Sequence, residues 1–128
     1  MRLLDRVTGW EHGRVEAQVD VVREMLGFDP GRGVPAWLGV EYLAQAAALC
    51  FGLLSRDAGQ QAHARPGMLV ACRRFECSVD HFPEGATLTI SAWPSSPLGH
   101  ALLRFQGEIR LQAPIAAGEV SVYMGPAR

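Results

Sequence analysis

The sequence predicts an α+β domain in which a curved antiparallel sheet wraps around one long, apolar helix. Three features favour this class: strand-like alternation near the N-terminus, one almost entirely apolar segment, and four further strand-like segments after it. One helix cannot cover both faces of a large flat sheet, so a sheet that curls around the helix is the economical arrangement. Such a helix has little surface facing water, which explains its apolar circumference.

Two strands are predicted before the helix. The first covers residues 3–7 and ends at Thr8-Gly9, which reads as a turn signal. The second, RVEAQVDVV over residues 14–22, places apolar side chains at alternate positions, as a half-buried strand does. Residues 27–35 are so rich in Gly and Pro that they are predicted to form a loop.

The central helix is predicted over residues 35–56. Pro35 suits its first turn, because the missing N–H would have no partner there. Gly59 is expected to end the helix in the left-handed conformation. At 1.5 Å per residue this helix is about 30 Å long.

Four strands are predicted after the helix, over residues 68–79, 86–93, 100–112 and 116–125. Hairpin turns are expected at Gly85 and over residues 94–99. The 128 residues suit one core, so residues 1–128 are expected to form a single domain.

Composition excludes several classes of function. The net charge of -1 gives no electrostatic reason to bind nucleic acid or an anionic membrane. Three cysteines without CxxC spacing predict reduced packing thiols, and four histidines without metal-ligand spacing predict no metal site. No cofactor is expected. The N-terminus lacks a signal peptide and the apolar helix contains a carboxylate, so we expect a cytoplasmic protein that does not span a membrane.

One ionisable residue stands out in the apolar segment, Glu41 near the start of the helix. An unpaired buried ion costs several kcal/mol, whereas the helix dipole stabilises it by only ~0.3–1 kcal/mol. Glu41 is therefore expected to have a partner such as Arg74, to reach solvent at the helix end, to be protonated, or to face a cavity in the interior. Small residues on its stripe favour a channel beside the helix, with the stripe formed by Glu41, Gln45, Ala48, Gly52 and Ser55.

Two motifs carry a resemblance to a known family. LLDRV (3–7) and GVPAWLGVEYLAQ (33–45), together with the element order, resemble the hotdog fold and, more narrowly, predicted 3-hydroxyacyl-(acyl carrier protein) dehydratases, the relatives of bacterial fatty-acid β-hydroxyacyl dehydratases. The resemblance covers essentially the whole chain. It implies a homodimer or an oligomer of dimers, an active site at the subunit interface, and a substrate linked to acyl carrier protein or CoA.

The resemblance also implies roles for individual residues. Glu41 matches the helix glutamate that assists proton transfer and water loss, and Gln45 matches a supporting glutamine. Gly27 and Phe28 stand where the fatty-acid dehydratases carry the His and Phe of a catalytic HFP turn. A second arrangement of the family, a Pro-His pair just before the LLDRV-like strand, is not present in the sequence either.

Other groups near the predicted site receive weaker roles. The backbone N–H groups of Trp37, Leu38 and Gly39 open the helix and could hold a thioester carbonyl. Asp29 is expected to form a turn before Pro30. His81 and His12 are expected in exposed turns, and Arg73 and Arg74 are candidates for a tunnel mouth that more often prove to be surface charges.

Three functions fit this pattern. The leading hypothesis is a dehydratase-like enzyme of 3-hydroxyacyl thioesters. The second is a hotdog acyl thioesterase, in which a helix carboxylate directs water without a histidine. The third is a subunit without catalytic activity that binds acyl chains or pairs with an active partner, which the two empty histidine positions favour.

Overall fold

A computed structural model of the chain describes residues 4–59, 69–96 and 102–123. One long helix lies between two groups of strands in the sequence, as the periodicity predicts. In chain order the elements are β1 (Arg6–Glu11), β2 (Arg14–Asp20), β3 (Val34–Pro35), α1 (Leu38–Asp57), β4 (Leu69–Cys77), β5 (His81–Phe82), β6 (Thr87–Pro94), β7 (Leu102–Leu111) and β8 (Ala113–Tyr123).

Six of the strands form one curved antiparallel sheet in the order β1-β2-β6-β7-β8-β4. Helix α1 packs against β2, β4, β6, β7 and β8, so the sheet embraces one side of it. This architecture confirms the predicted fold class, the hotdog fold. The largest fully buried side chains are Tyr42, Phe82, Phe105, Leu38, Leu43, Leu88, Ile90 and Ile109, with Val15, Val19, Val21 and Val34.

The helix approaches the sheet closely where β7 has a glycine. A Cβ atom on Gly107 would lie 2.7 Å from Cδ2 of Leu43, closer than side-chain carbons pack. The bare backbone at Gly107 therefore lets Leu43 lie flat on the strand, and no alternation rule had marked this position.

The helix begins at Leu38, three residues later than predicted. Pro35 instead lies in β3, which pairs antiparallel with β5 in a separate two-stranded ribbon: Val34 faces Phe82, and Pro35 faces His81. Two-residue strands are too short to show a period in the sequence. Proline is tolerated there because the ribbon has only edge strands.

The prediction of a turn at Thr8-Gly9 is wrong. Both residues lie in β1, and the hairpin turns at His12 and Gly13, which have φ angles of 54° and 74°. The pairing of β1 with β2 shifts register between Val7 and Gly9, so this glycine marks a bulge rather than a turn. The expectation that His12 lies in a hairpin turn is confirmed.

The far end of the helix is tied to the first hairpin. The indole Nε1 of Trp10 donates a 2.7 Å hydrogen bond to Oδ2 of Asp57, and Gly59 follows with φ 80°, the left-handed conformation predicted for it. Two turns earlier, Sγ of the buried Cys50 lies 3.4 Å from the carbonyl oxygen of Gly13. Burial raises the pKa of this thiol to about 12, as suits a packing cysteine.

Helix α1 is long and apolar enough to cross a membrane, judged by its 20 residues and its composition alone. The central helix of a folded domain meets the same criteria, and α1 packs against five strands of the sheet.

Candidate functional site

Glu41 lies in the first turn of α1, on the side that the sheet does not cover, and its side chain is exposed. The cavity in the interior, which the small residues of the stripe favoured, is therefore not observed around Glu41. The sheet wraps one side of the helix, whereas the stripe starting at Glu41 faces outward over its first three turns. No ion pair links Glu41 to the described parts of the chain, so of the alternatives above the solvent-facing one is observed.

The other members of the stripe become less accessible along the helix. Gln45, Ala48 and Gly52 are half-buried, and Ser55 is buried. A cavity of 970 Å³ lies between the β1–β2 hairpin and Trp93, and another of 390 Å³ lies beside Cys77. Neither includes Glu41, so neither is the channel predicted beside it.

Some of the backbone N–H groups at the start of the helix form hydrogen bonds. The N–H of Gly39 donates to the carbonyl oxygen of Ala36 at 2.9 Å, and the N–H of Val40 donates to that of Trp37 at 3.1 Å. Gly39 is thus unable to hold a thioester carbonyl as predicted, because a tightened first turn uses its N–H. The N–H groups of Trp37 and Leu38 form no backbone hydrogen bond within the described segments, so these two remain available.

Gly27 lies next to this helix start. A Cβ atom built on Gly27 would be 3.4 Å from Cδ of Pro35 and 3.7 Å from Cζ2 of Trp37. Trp37 is 57% exposed, while Phe28 is half-buried and packs against the core. The structure therefore brings Gly27 and Trp37 together on the outer surface, and it turns Phe28 inward.

Gln45 holds the N-terminal segment against the helix. Its Oε1 accepts a 3.2 Å hydrogen bond from the N–H of Leu4, which fastens the N-terminal segment across the helix one turn beyond Glu41. The role predicted for Gln45 as a supporting residue of the active site stays a prediction.

Tyr42, next to Glu41 in sequence, points into the core. Its ring is fully buried, with its centroid 6.1 Å from that of Phe82, and its hydroxyl lies 3.8 Å from Sδ of Met25. Burial, followed by the negative charge of Asp5, raises the pKa of Tyr42 to about 12. Tyr42 is therefore a neutral anchor for the loop that leads to Gly27.

Two residues that were assigned to turns meet near the helix start. Nε2 of His81 lies 3.7 Å from Oδ2 of Asp29, and the His81 side chain is 21% exposed. The prediction of an exposed turn for His81 is wrong, because β5 pairs with β3 and draws it against the loop. Only the HFP triplet around His81, which repeats the dehydratase motif out of place, could have drawn attention to it.

Asp29 also serves its own loop. Its backbone exchanges hydrogen bonds with Gly33, at 2.7 Å and 2.9 Å, and its Oδ2 lies 3.8 Å from Nε of Arg32. The turn predicted at Asp29 is thus present. The Asp29 carboxylate thus lies near two side chains that are or can become cationic, Arg32 and His81.

The arginines proposed for a tunnel mouth lie in β4. Both Arg73 and Arg74 are exposed, and Arg74 has φ 55° where the β4–β8 pairing shifts register. Over residues 4–59, 69–96 and 102–123, no three His, Cys, Asp or Glu side chains are grouped closely enough to hold a metal ion.

The sequence profile of the ApeP-like family, described as ApeP dehydratase, matches residues 1–127 of the chain. No curated protein sequence matches the chain.

Solved structures share the fold at low sequence identity. The dehydratase heterocomplex ApeI:P from Xenorhabdus doucetiae has a TM-score of 0.81 at 24% identity, covering 99% of this chain and 84% of that one. The Escherichia coli PaaI protein of the phenylacetic acid degradation operon has a TM-score of 0.66 at 18% identity, covering 92% and 81%. Thioesterase HI1161 from Haemophilus influenzae has a TM-score of 0.63 at 13% identity, covering 91% and 75%.

Proposed function

The chain belongs to the ApeP-like dehydratase family, and on that premise we propose that it takes part in the dehydration of 3-hydroxyacyl thioesters. The reaction removes the C2 proton and the C3 hydroxyl group to leave a trans-2-enoyl thioester and water. The substrate is carried by acyl carrier protein or CoA, in a cytoplasmic pathway of fatty-acid or polyene-type synthesis.

The position of Glu41 carries the proposal. Its carboxylate stands in the first turn of α1, four residues after Trp37, so both side chains lie on the same helix face. The N–H groups of Trp37 and Leu38 can donate hydrogen bonds to the thioester oxygen and stabilise the negative charge that develops on it. Glu41 can then exchange a proton with the 3-hydroxyl group.

A second subunit is required to enclose this chemistry, because Glu41 is exposed in the single chain. The uncovered face of α1 supports such an assembly: it carries the exposed Trp37 and the half-buried Ala44, Ala48 and Phe51. An apolar face of this kind marks an interaction surface. We infer a homodimer or an oligomer of dimers in which this face is covered.

Two other functions have a specific observation in their favour. A thioesterase fits the likeness of the fold to HI1161, a protein described as a thioesterase. A subunit without its own activity fits the glycine at position 27, and the ApeI:P neighbour is described as a heterocomplex. In that arrangement a partner of different sequence would supply the histidine.

One assay separates the three functions. The purified protein is incubated with 3-hydroxybutyryl-CoA and with crotonyl-CoA, and the enoyl absorbance and the free thiol are followed together. Reversible interconversion of the two substrates is the result that the proposal predicts. Release of thiol identifies a thioesterase. Binding without either change identifies the subunit that lacks catalytic activity.

A further inference from the structure

His81 is a second proton-transfer group that points away from the core at the helix start. It lies in β5 next to Phe82, which is fully buried, and neighbouring residues of a strand point to opposite faces. His81 therefore shares the outer face of the β3–β5 ribbon with Pro35, its pairing partner.

The outer face of the ribbon continues into the candidate site. A Cβ atom built on Gly27 would lie next to the ring of Pro35 and also next to the ring of Trp37. Trp37 in turn precedes Glu41 by one helical turn. The ribbon face that carries His81 thus continues through Pro35 and Trp37 to the first turn of the helix, where Glu41 lies.

The contact with Asp29 determines which ring nitrogen of His81 can act as a general base. Nε2 faces the Asp29 carboxylate at 3.7 Å, so Nδ1 is the nitrogen left to accept a proton. A carboxylate in this position orients the ring and stabilises the imidazolium that forms. The pair is long for a hydrogen bond, as catalytic pairs often are before substrate binds. Arg32 faces the same Asp29 oxygen at 3.8 Å.

We propose that His81 is a catalytic residue of this chain, the base that takes over from the histidine missing at position 27; the inference rests on the proposed dehydration. Nδ1 of His81 removes the C2 proton of the 3-hydroxyacyl thioester. The electrons of that C–H bond form the C2–C3 double bond, and the C3–O bond breaks. Glu41, in its carboxylic acid form, gives its proton to the departing hydroxyl, which leaves as water. His81 afterwards returns its proton through solvent to the Glu41 carboxylate.

The experiment compares two identical substitutions in the full chain. His81→Asn removes the proposed base, whereas His12→Asn changes a histidine that is 88% exposed in the β1–β2 hairpin. Asparagine tolerates the positive φ of His12. Hydration of crotonyl-CoA is measured for each, and binding of butyryl-CoA, which cannot be hydrated, is measured by calorimetry. Asp29→Asn is a second variant that keeps the imidazole.

We expect His81→Asn to lower the hydration rate at least about 100-fold, the usual contribution of a general base, with butyryl-CoA binding retained. Asp29→Asn should lower the rate in the same direction, and His12→Asn should not change it. If the hydration rate of His81→Asn stays within threefold of the wild-type rate, the role of His81 is overturned and the dehydratase proposal stands. If hydration occurs only after a histidine-bearing partner subunit is added, the role of His81 is again overturned and the dehydratase proposal stands. Thiol release without hydration overturns both.

Discussion

Gly33 lies against the main-chain carbonyl group of Phe82. A Cβ atom on Gly33 would collide with the carbonyl oxygen and lie 2.8 Å from the carbonyl carbon, and Gly33 has φ 113°. The β3–β5 ribbon is therefore closed at a point where only glycine fits, both for its conformation and for its size. The same ribbon carries Pro35 and His81, so this contact sets the position of the outer surface beside the helix start.

The first prediction concerns this contact. Gly33→Ala should lower the free energy of unfolding by about 3 kcal/mol or more, since the positive φ costs about 1–2 kcal/mol and the collision adds an overpacking cost. Gly31→Ala is the matched control, because Gly31 has φ 85° and nothing within 4 Å of its Cβ position. It should lose only about 1–2 kcal/mol. Urea unfolding measures both; equal losses would show that the collision with Phe82 is relieved by movement of the chain.

Periodicity in the sequence predicted the elements that are long. The alternation around Val15 and around Phe105, and the apolar run after Pro35, each extend over enough residues to distinguish a strand from a helix. The prediction of one sheet around one helix followed from their order. The two-residue strands β3 and β5 could not be predicted, because the contact between Gly33 and Phe82 that holds them together joins residues far apart in sequence.

The site was predicted less completely, for two physical reasons. The burial of Glu41 was inferred from its apolar neighbours, but those neighbours belong to a helix that the sheet covers on one side only. An apolar composition indicates that a face will be covered, and it does not say by which chain. The meeting of Asp29 with His81 depends on pairing across the ribbon, which no local pattern reports.

A second prediction concerns acid stability. Asp20 accepts hydrogen bonds from Arg6, at 2.7 Å and 3.0 Å, and from Thr87 at 2.9 Å. These contacts, Arg6 first, lower the pKa of Asp20 from 3.8 to about 2. The unfolded chain therefore binds a proton at this carboxyl more readily than the folded chain does. The contribution of Asp20 should be complete above about pH 4 and be lost as the pH falls through the folded pKa.

Thermal unfolding of the wild type and Asp20→Asn between pH 2 and pH 6 measures this contribution. The wild type should melt at a higher temperature near pH 6, and the two curves should converge near the acid end. A difference in melting temperature that stays constant over the whole range would show that the carboxylate charge is not what stabilises the β1–β2 pairing.

A third prediction concerns assembly. If the uncovered face of α1 is an interface, Ala48→Glu buries a charge there and should raise the dissociation constant of the dimer more than about 100-fold, since an unpaired buried charge costs several kcal/mol. Ala113→Glu places the same charge at an exposed position at the start of β8 and should leave the dimer intact. Sedimentation velocity over a range of concentrations measures both. A wild-type protein that sediments as a monomer at every concentration would contradict the proposed interface.

The most direct test of the proposed dehydration is the rate of crotonyl-CoA hydration by Glu41→Gln in the assembled protein. Because Glu41 is exposed in the single chain and forms no ion pair with the described residues, the change should leave the melting temperature of the chain close to that of the wild type. Glu11→Gln, at the exposed end of β1, is the matched control. We predict that Glu41→Gln lowers the rate at least about 100-fold while Glu11→Gln does not; hydration by Glu41→Gln at the wild-type rate would contradict the role of this carboxylate.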